Sequence, residues 1–169
     1  PVYGITHTDE DPRRKVTVSD PKIVPNLVVY DPDITLDLPP SLTASTGINA
    51  LAHCIEALYS RTRNALSSAA AADGIRHIHA TLLKCYQEGK NQEARAGMLL
   101  GSHLAGFSLA SVSMGLHHGI CHVLGGSANI PHGIANAIIL PHAIAFNAEA
   151  TAKMLIPAAD AMNVPDNVG

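Results

Sequence analysis

The stretch SVSMGLHHGICHVLGGSANIPHGIANAIILPH, residues 111–142, contains half of the chain's ten histidines and no Lys, Arg, Asp or Glu. If residues 116–124 form a helix, His118 and His122 stand four residues apart on one face, about 40° apart around the helix axis. The two rings can then point at one spot. His117 lies about 100° from His118 and must face elsewhere, unless it lines a wall of the same cavity.

A third imidazole follows in the same stretch. We expect Gly125-Gly126 to end the helix, after which Pro131-His132-Gly133 begins a new apolar run. Packing alone does not explain this concentration of histidines, because each buried ring needs a polar partner. The cluster therefore predicts a functional site. Histidines that stand alone among helix formers are better explained as hydrogen-bonded core residues, and these are His77, His79 and His103.

The sequence around the cluster has the apolar period of α-helices. The first long helix is predicted from residue 45, with Ser45 or Thr46 as its N-cap. Further helices are predicted over residues 65–86, 93–110, 135–148 and 151–162. We expect Pro141 and Pro157 to kink or divide the last two.

Two of these helices carry packing signals. The core side of the second helix is predicted to consist of Ile75, Ile78, Leu82 and Leu83. The third helix has small residues that would permit close approach of a neighbour, and these are Gly97, Gly101, Ala105 and Gly106.

The N-terminal part differs, because β formers cluster in residues 2–5, 16–18 and 27–30 between turn-forming residues. We interpret residues 1–40 as an extended arm or small β ribbon and residues 41–169 as a helical domain. The predicted fold class is therefore mainly α, a helical bundle with a short N-terminal β appendage. Both ends of the sequence look cut, so we expect an excised domain or a fragment that is truncated at its C-terminus.

Composition excludes several classes of protein. The chain has 169 residues, 47% of them hydrophobic and 15% charged, which is typical of a globular domain. A net charge of −3 argues against a nucleic-acid partner, and no apolar run is long enough to predict a membrane span. Three widely spaced cysteines without a CxxC motif predict no disulfide framework and fit a reducing cytoplasm.

A second helical pair, Asn49 and His53, lies four residues apart in the first long helix. With His118 and His132 it supplies an amide and three imidazoles from separate segments. An Asp at position 49 would have indicated a divalent metal site, but a neutral amide is a weak ligand. We therefore favour a metal-free pocket whose polar groups bind the substrate, with a metal site as the alternative.

Other catalytic and nucleotide-binding motifs are absent from the sequence or lack a required residue. His118 to His122 has the spacing of a zinc-protease HExxH motif, but Gly119 stands where the general base is required. The sequence has no GxSxG motif, no P-loop and no GxGxxG after a strand. Residues 97–151 contain no Lys or Arg, so an anionic substrate in this stretch would be held by imidazolium, helix N-termini or hydroxyls.

The chain resembles the C-terminal helical domain of the iron-containing alcohol dehydrogenase superfamily, whose fold is the dehydroquinate synthase-like helical domain. The matching blocks are PVYGIT, RRK, YDPDITLDLPPSLTASTGINALAHCIEALYS, MGLHHGICHVLGG and PHGIANAIILPHAIAFN. The resemblance implies a nucleotide-binding domain before residue 1, with the active site in the cleft between the two domains. The helical part alone should then be inactive.

The resemblance also implies roles for individual residues. The metal-dependent members have an Asp and three His as ligands, which fall on Asn49, His53, His118 and His132. His122 matches a residue beside the nicotinamide. Lys15 matches a position near the cofactor ribose, and Ile34, Thr35 and Leu36 resemble a loop that lies along the cofactor.

Asn49 and the consecutive His117-His118 are similar to the maleylacetate reductase branch of this superfamily. That similarity implies reduction of maleylacetate to 3-oxoadipate by NADH or NADPH, without a metal, in the degradation of aromatic compounds. His118 and His122 are the candidates for acid and charge stabiliser, while His53, His132 and Asn49 would orient the carboxylates of this small dicarboxylate substrate. A cytoplasmic homodimer is the corresponding expectation.

Two alternatives stay open on the sequence. The first is an iron- or zinc-dependent alcohol dehydrogenase in which Asn49 tolerates the ion. The second is a non-enzymatic helical interaction module with an exposed apolar face, which would leave the histidines unexplained.

Overall fold

The computed structural model describes residues 4–10, 13–128 and 130–164, with side chains from residue 20 onward. Two antiparallel strands come first, β1 (Gly4–Glu10) and β2 (Arg13–Ser19), with Gly4 paired to Ser19 and Glu10 to Arg13. Part of the predicted strand at residues 2–5 lies outside the described residues. Residues 27–30 form no strand, which corrects that prediction. Their β-forming side chains have no partner strand within the described part of the chain, and strands need one.

Five helices make up the rest, so the prediction of a mainly helical domain is confirmed. They are α1 (Pro40–Tyr59), α2 (Ala65–Gln87), α3 (Gln92–Ser111), α4 (Leu116–Ser127) and α5 (His132–Ala161). Helix α1 packs against α2, α3 and α5, and α4 packs against α5. Helices α3 and α4 meet at 97°. No single helix among the described residues is long and apolar enough to cross a membrane, and only the bent α3–α4 pair meets that criterion, by length and composition.

Helix α1 begins five residues before the predicted start. Pro40 occupies the first helical position, where the missing N–H is not needed and the fixed φ suits a helix. The prediction that Ser45 or Thr46 is the N-cap is therefore wrong. Both hydroxyls lie inside the helix and donate to the carbonyl oxygen of Leu42, at 3.3 and 2.7 Å respectively.

Helices α2 and α3 match their predicted ranges to within one residue at each end. Asn64 caps α2 by accepting from the backbone N–H groups of Leu66 and Ser67. In turn, the Ser67 hydroxyl oxygen accepts from the backbone N–H of Asn64. Asn91 caps α3 by accepting from the N–H of Ala94. These caps satisfy N–H groups that the helices themselves leave unpaired.

Gly125-Gly126 does not end α4 as predicted, and neither Pro141 nor Pro157 divides α5. Gly125 and Gly126 lie within α4, which continues to Ser127, and Gly125 is buried there. Helix α5 is a single helix that includes Pro141 and Pro157, so the prediction of two separate helices over these residues is wrong. Tertiary packing of a long apolar helix outweighs a local propensity cost of about 1 kcal/mol for Gly and about 3 kcal/mol for Pro.

The core lies between α1, α2, α3 and α5. Ile75 and Ile78 of α2 are fully buried, and Leu82 packs against them, as predicted. Leu83 is 63% exposed, which corrects its assignment to the core. The three cysteines are buried and free, at Cys54, Cys85 and Cys121.

Small residues bring α3 close to α2. A Cβ on Gly97 would lie 2.7 Å from Thr81, and a Cβ on Gly101 would lie 2.7 Å from Ile78. Gly106 was predicted to serve the same purpose, but nothing lies within 4 Å of where its Cβ would be. Gly97 and Gly101 therefore permit the close approach that was predicted, and Gly106 does not contribute to it.

Candidate active site

One face of α1 supplies three polar groups. Asn49, His53 and Glu56 follow each other at spacings of four and three residues, which places them on the same side of the helix. Glu56 is fully buried, and Asn49 and His53 are partly buried. The site is thus built on a core helix that packs against α2, α3 and α5.

Helices α4 and α5 bring further imidazoles to this face. The His118 ring stacks on the His53 ring, with centroids 4.4 Å apart and an interplanar angle of 12°. The His132 ring lies 6.4 Å from that of His118. The structure therefore brings His53, His118 and His132 together, beside Asn49 of the same α1 face.

His122 occupies a different position from His118. It is exposed, whereas His118 is buried, although the rings of both residues flank that of His132. The His122 ring lies 5.5 Å from that of His132 and so borders the cluster on its open side. His117 does line the same cluster: it is fully buried, and its ring meets His118 edge-on at 4.8 Å.

Glu56 is the residue that sequence reasoning missed. Its Oε2 lies 2.5 Å from Nδ1 of His118 and also accepts from the His118 backbone N–H at 3.3 Å. Its Oε1 accepts from the backbone N–H of His117 at 3.0 Å and from the Tyr59 hydroxyl at 3.3 Å. The available signal was a lone carboxylate on the apolar face of α1, three residues after His53, which requires a buried partner.

The surroundings lower the pKa of three groups in this cluster, His53, His117 and Glu56. Burial, and then the neighbouring His118 and His132, lower the pKa of His53 to about 3, so His53 is neutral at pH 7. Burial also lowers the pKa of His117. Burial acts to raise the pKa of Glu56, but bonds from His118 and from backbone N–H groups outweigh it and lower that pKa. The pocket therefore combines neutral imidazoles with one buried carboxylate.

Apart from His122, the residues predicted to bind the cofactor lie away from this cluster in sequence. Ile34, Thr35 and Leu36 form a 3₁₀ turn, residues 32–35, and its C-cap, and Ile34 is 80% exposed. The Thr35 hydroxyl donates to the carbonyl oxygen of Pro32. The Lys15 side chain lies outside the described part of the structure. His77, His79 and His103 take no part in the cluster; His79 and His103 are exposed, which corrects their assignment to the core, and His103 pairs with Tyr30.

Comparison with known families matches residues 43–168 to the model of the "Fe-containing alcohol dehydrogenase family, C-terminal". The chain belongs to this family. The match includes all of α2 to α5 and every residue of the histidine cluster. The resemblance inferred from the sequence is confirmed.

The chain is also similar to individual members of this family. A maleylacetate reductase from Burkholderia cepacia is 41% identical over 164 residues, covering 97% of this chain and 46% of the relative. Alcohol dehydrogenase 4 from Saccharomyces cerevisiae is 40% identical over 135 residues, covering 80% of this chain and 35% of the relative. The crystal structure of maleylacetate reductase from Rhizobium sp. strain MTP-10005 superposes with a TM-score of 0.90 at 37% identity, covering 96% of this chain and 46% of that one. The chain thus spans about half the length of these family members.

The family name implies an iron ion, which would need donor atoms of several residues directed at one point. The Nε2 of His118 and the Oδ1 of Asn49 are buried without a hydrogen-bond partner among the described residues, as ligand atoms would be. A histidine lone pair lies in the plane of its ring, however, and the stacked rings of His53 and His118 occupy parallel planes. One ion cannot lie in both. As arranged, these family residues do not fit an iron ion, and Asn49 supplies no charge to offset it.

A second donor group is saturated by its own members. Glu56, His117 and His118 place potential ligand atoms within 4.8 Å of one another. Apart from the Nε2 of His118, the ring nitrogens of the two histidines and both carboxylate oxygens of Glu56 already take part in bonds between them and to backbone groups. This group is a hydrogen-bonded support for the site and leaves no lone pair converging on a cation.

Proposed function

We propose that this chain is the helical half of a reductase that uses NADH or NADPH to reduce maleylacetate to 3-oxoadipate without a metal. The observation that carries the proposal is the buried group of His53, His118 and His132 beside Asn49, in which stacked rings and a neutral amide replace an ion-binding arrangement. The relatives named maleylacetate reductase support the choice of substrate. The absence of Lys and Arg from residues 97–151 agrees with recognition through neutral and titratable donors.

The reaction needs a hydride, a proton and control of two carboxylates. A bound nicotinamide cofactor would supply the hydride to the electron-poor carbon of the substrate's enone. The adjacent carbon then takes a proton, and His118 or His122 would deliver it, directly or to the enolate. His53, His132 and the Asn49 amide would orient the substrate carboxylates, and His122 and residues 34–36 would face the cofactor.

The proposal predicts a large loss of activity when the proton-handling imidazoles are removed. In the full-length enzyme, His118→Ala or His122→Ala should lower the turnover of maleylacetate with NADH by roughly 10²-fold or more. His79→Ala is the matched control, because that ring is exposed on α2, away from the cluster. Near-normal turnover in both His118→Ala and His122→Ala would contradict the assignment.

An iron- or zinc-dependent alcohol dehydrogenase is the second candidate. The family description, the yeast relative, and the unpaired His118 Nε2 and Asn49 Oδ1 favour it. It would require the stacked rings to rotate. Elemental analysis of the full-length protein before and after chelation separates the two candidates: the metal-free proposal expects no stoichiometric iron or zinc and activity that survives chelation.

A further inference from the structure

We infer that Glu56 is a positioning residue, which fixes the tautomer of His118 so that only Nε2 exchanges protons with the pocket. The kinetic consequence rests on the proposed function, but the tautomer does not. Glu56 does not touch the substrate site itself: it acts through the ring of His118, with which its Oε2 makes a 2.5 Å contact.

The backbone carbonyl of Asn136 fixes the tautomer of His117. This oxygen lies 3.1 Å from Nε2 of His117, and a carbonyl oxygen can only accept a hydrogen bond. His117 therefore carries its proton on Nε2. Burial lowers the pKa of His117, and in the neutral form of this ring the Nδ1 bears a lone pair. That lone pair points at His118, whose Nδ1 is 3.3 Å away.

Two acceptors then meet the same nitrogen of His118. Its Nδ1 faces the Glu56 carboxylate at 2.5 Å and the His117 lone pair at 3.3 Å. Only an N–H at this position satisfies both, so the proton of Nδ1 is committed in either charge state of the ring. The other nitrogen, Nε2, is buried and has no hydrogen-bond partner within the described part of the chain. Any proton that His118 gives or takes must pass through Nε2.

Glu56 is itself held firmly. It accepts from the backbone N–H groups of His117 and His118, in the first turn of α4, where the helix has no side-chain cap of its own. A carboxylate at a helix N-terminus satisfies unpaired N–H groups and interacts favourably with the helix dipole. Gly115 makes room for it, because a Cβ there would lie 2.9 Å from Oε1. The same carboxylate therefore docks α4 on α1 and orients the His118 ring.

The arrangement matches a known physical device. A buried carboxylate bonded to one nitrogen of an imidazole holds the ring in one tautomer and one orientation, and its replacement by an amide can reverse the tautomer. In Glu56→Gln, an amide N–H facing Nδ1 would favour a lone pair on Nδ1 and move the proton to Nε2.

The test is a ¹⁵N NMR measurement on full-length protein labelled at histidine, without substrate. We expect His118 of the wild type to carry its proton on Nδ1, and Glu56→Gln to shift population toward the Nε2–H form. Tyr59→Phe removes a different donor to Glu56 and should leave the tautomer unchanged. An Nε2–H tautomer in the wild type overturns the inference, and this result needs no folded variant. An unchanged tautomer in a folded Glu56→Gln protein overturns it as well.

Kinetics provide the second readout. With maleylacetate and NADH, Glu56→Gln should lower kcat by about 10- to 100-fold and leave KM within about threefold, with Glu56→Asp recovering part of kcat. A general loss of structure would not lower kcat at an almost unchanged KM, nor would Glu56→Asp then recover part of kcat. If the wild type does not reduce maleylacetate while the tautomers behave as expected, the proposed function fails and the role of Glu56 stands.

Discussion

His53 is the residue on which burial acts most clearly. It lies against His118, with His132, His117 and Glu56 as the other ionisable neighbours, and its pKa is lowered to about 3. An unfolded chain would titrate the same ring near its ordinary value of about 6.5. Between these two values the unfolded state binds a proton that the folded state excludes, so stability rises with pH across this window.

This difference predicts acid sensitivity with a defined slope. As pH falls from about 6.5, His53 should reduce the free energy of unfolding by up to about 1.4 kcal/mol per pH unit. Glu56 adds to the loss at lower pH, because its pKa is also lowered by folding. Denaturant unfolding of the full-length protein at pH 7.0, 6.0 and 5.0 measures the effect. His53→Gln should flatten the profile and the exposed His79→Gln should not; equal profiles for all three proteins would contradict the prediction.

The residues of the site were predictable to different degrees for a physical reason. Asn49, His53, His118 and His132 could be found because imidazoles and an amide in apolar segments need partners, and helical spacing says which ones share a face. Glu56 lies on the same face but was missed, since its partners are backbone N–H groups of α4, 61 and 62 residues away. The stacking of His53 on His118 depends on how two helices dock, which periodicity does not encode.

At the scale of elements, helices α2 and α3 form the most closely packed pair. Their ranges could be predicted because the apolar period agrees with the positions of the N-terminal caps that the structure shows, Asn64 and Asn91. Helices α4 and α5 were predicted less well, because glycine and proline act as stop signals only where tertiary packing does not override them. The glycines of α3 show that small residues alone do not predict a helix contact. Gly101 lies against α2 and Gly106 does not, although the sequence does not distinguish them.

These two glycines provide a matched test of the α2–α3 contact. Gly101→Ala should destabilise the protein by about 1–3 kcal/mol, because its Cβ would lie 2.7 Å from the Ile78 side chain and 3.2 Å from the Ile78 backbone nitrogen. Gly106→Ala, in the same helix with no atom within 4 Å, should stabilise it by roughly 0.5–1 kcal/mol. Thermal or denaturant unfolding measures both. A Gly101→Ala protein as stable as Gly106→Ala would mean that the helices do not approach this closely.

At the scale of the whole molecule, Arg95 joins the N-terminal segment to the helical bundle. This buried side chain donates to the carbonyl oxygen of Gly89 at 2.9 Å, to the hydroxyl of Thr43 at 3.0 Å and to the carbonyl oxygen of Leu38 at 3.3 Å. Two exposed contacts from residues at and just before the start of α3 add to it, and these are Lys90 with Asp37 and Gln92 with Asp33. The 3₁₀ turn at residues 32–35 is therefore tied to α3, and with it the segment that we propose lies along the cofactor.

Replacing this arginine should affect the whole molecule. Arg95→Met keeps much of the apolar bulk but leaves two part-buried carbonyl groups and a buried hydroxyl without their donor, so we expect a loss of about 2–4 kcal/mol in the free energy of unfolding. Arg76→Met is the control on the adjacent helix. The Arg76 side chain is 60% exposed, it pairs with Asp73 on the surface, and its loss should change stability by no more than about 0.5 kcal/mol. Hydrogen exchange should also rise across residues 31–38 in Arg95→Met only, because the donor to Leu38 belongs to Arg95; unchanged exchange there would show that the segment is held by other contacts.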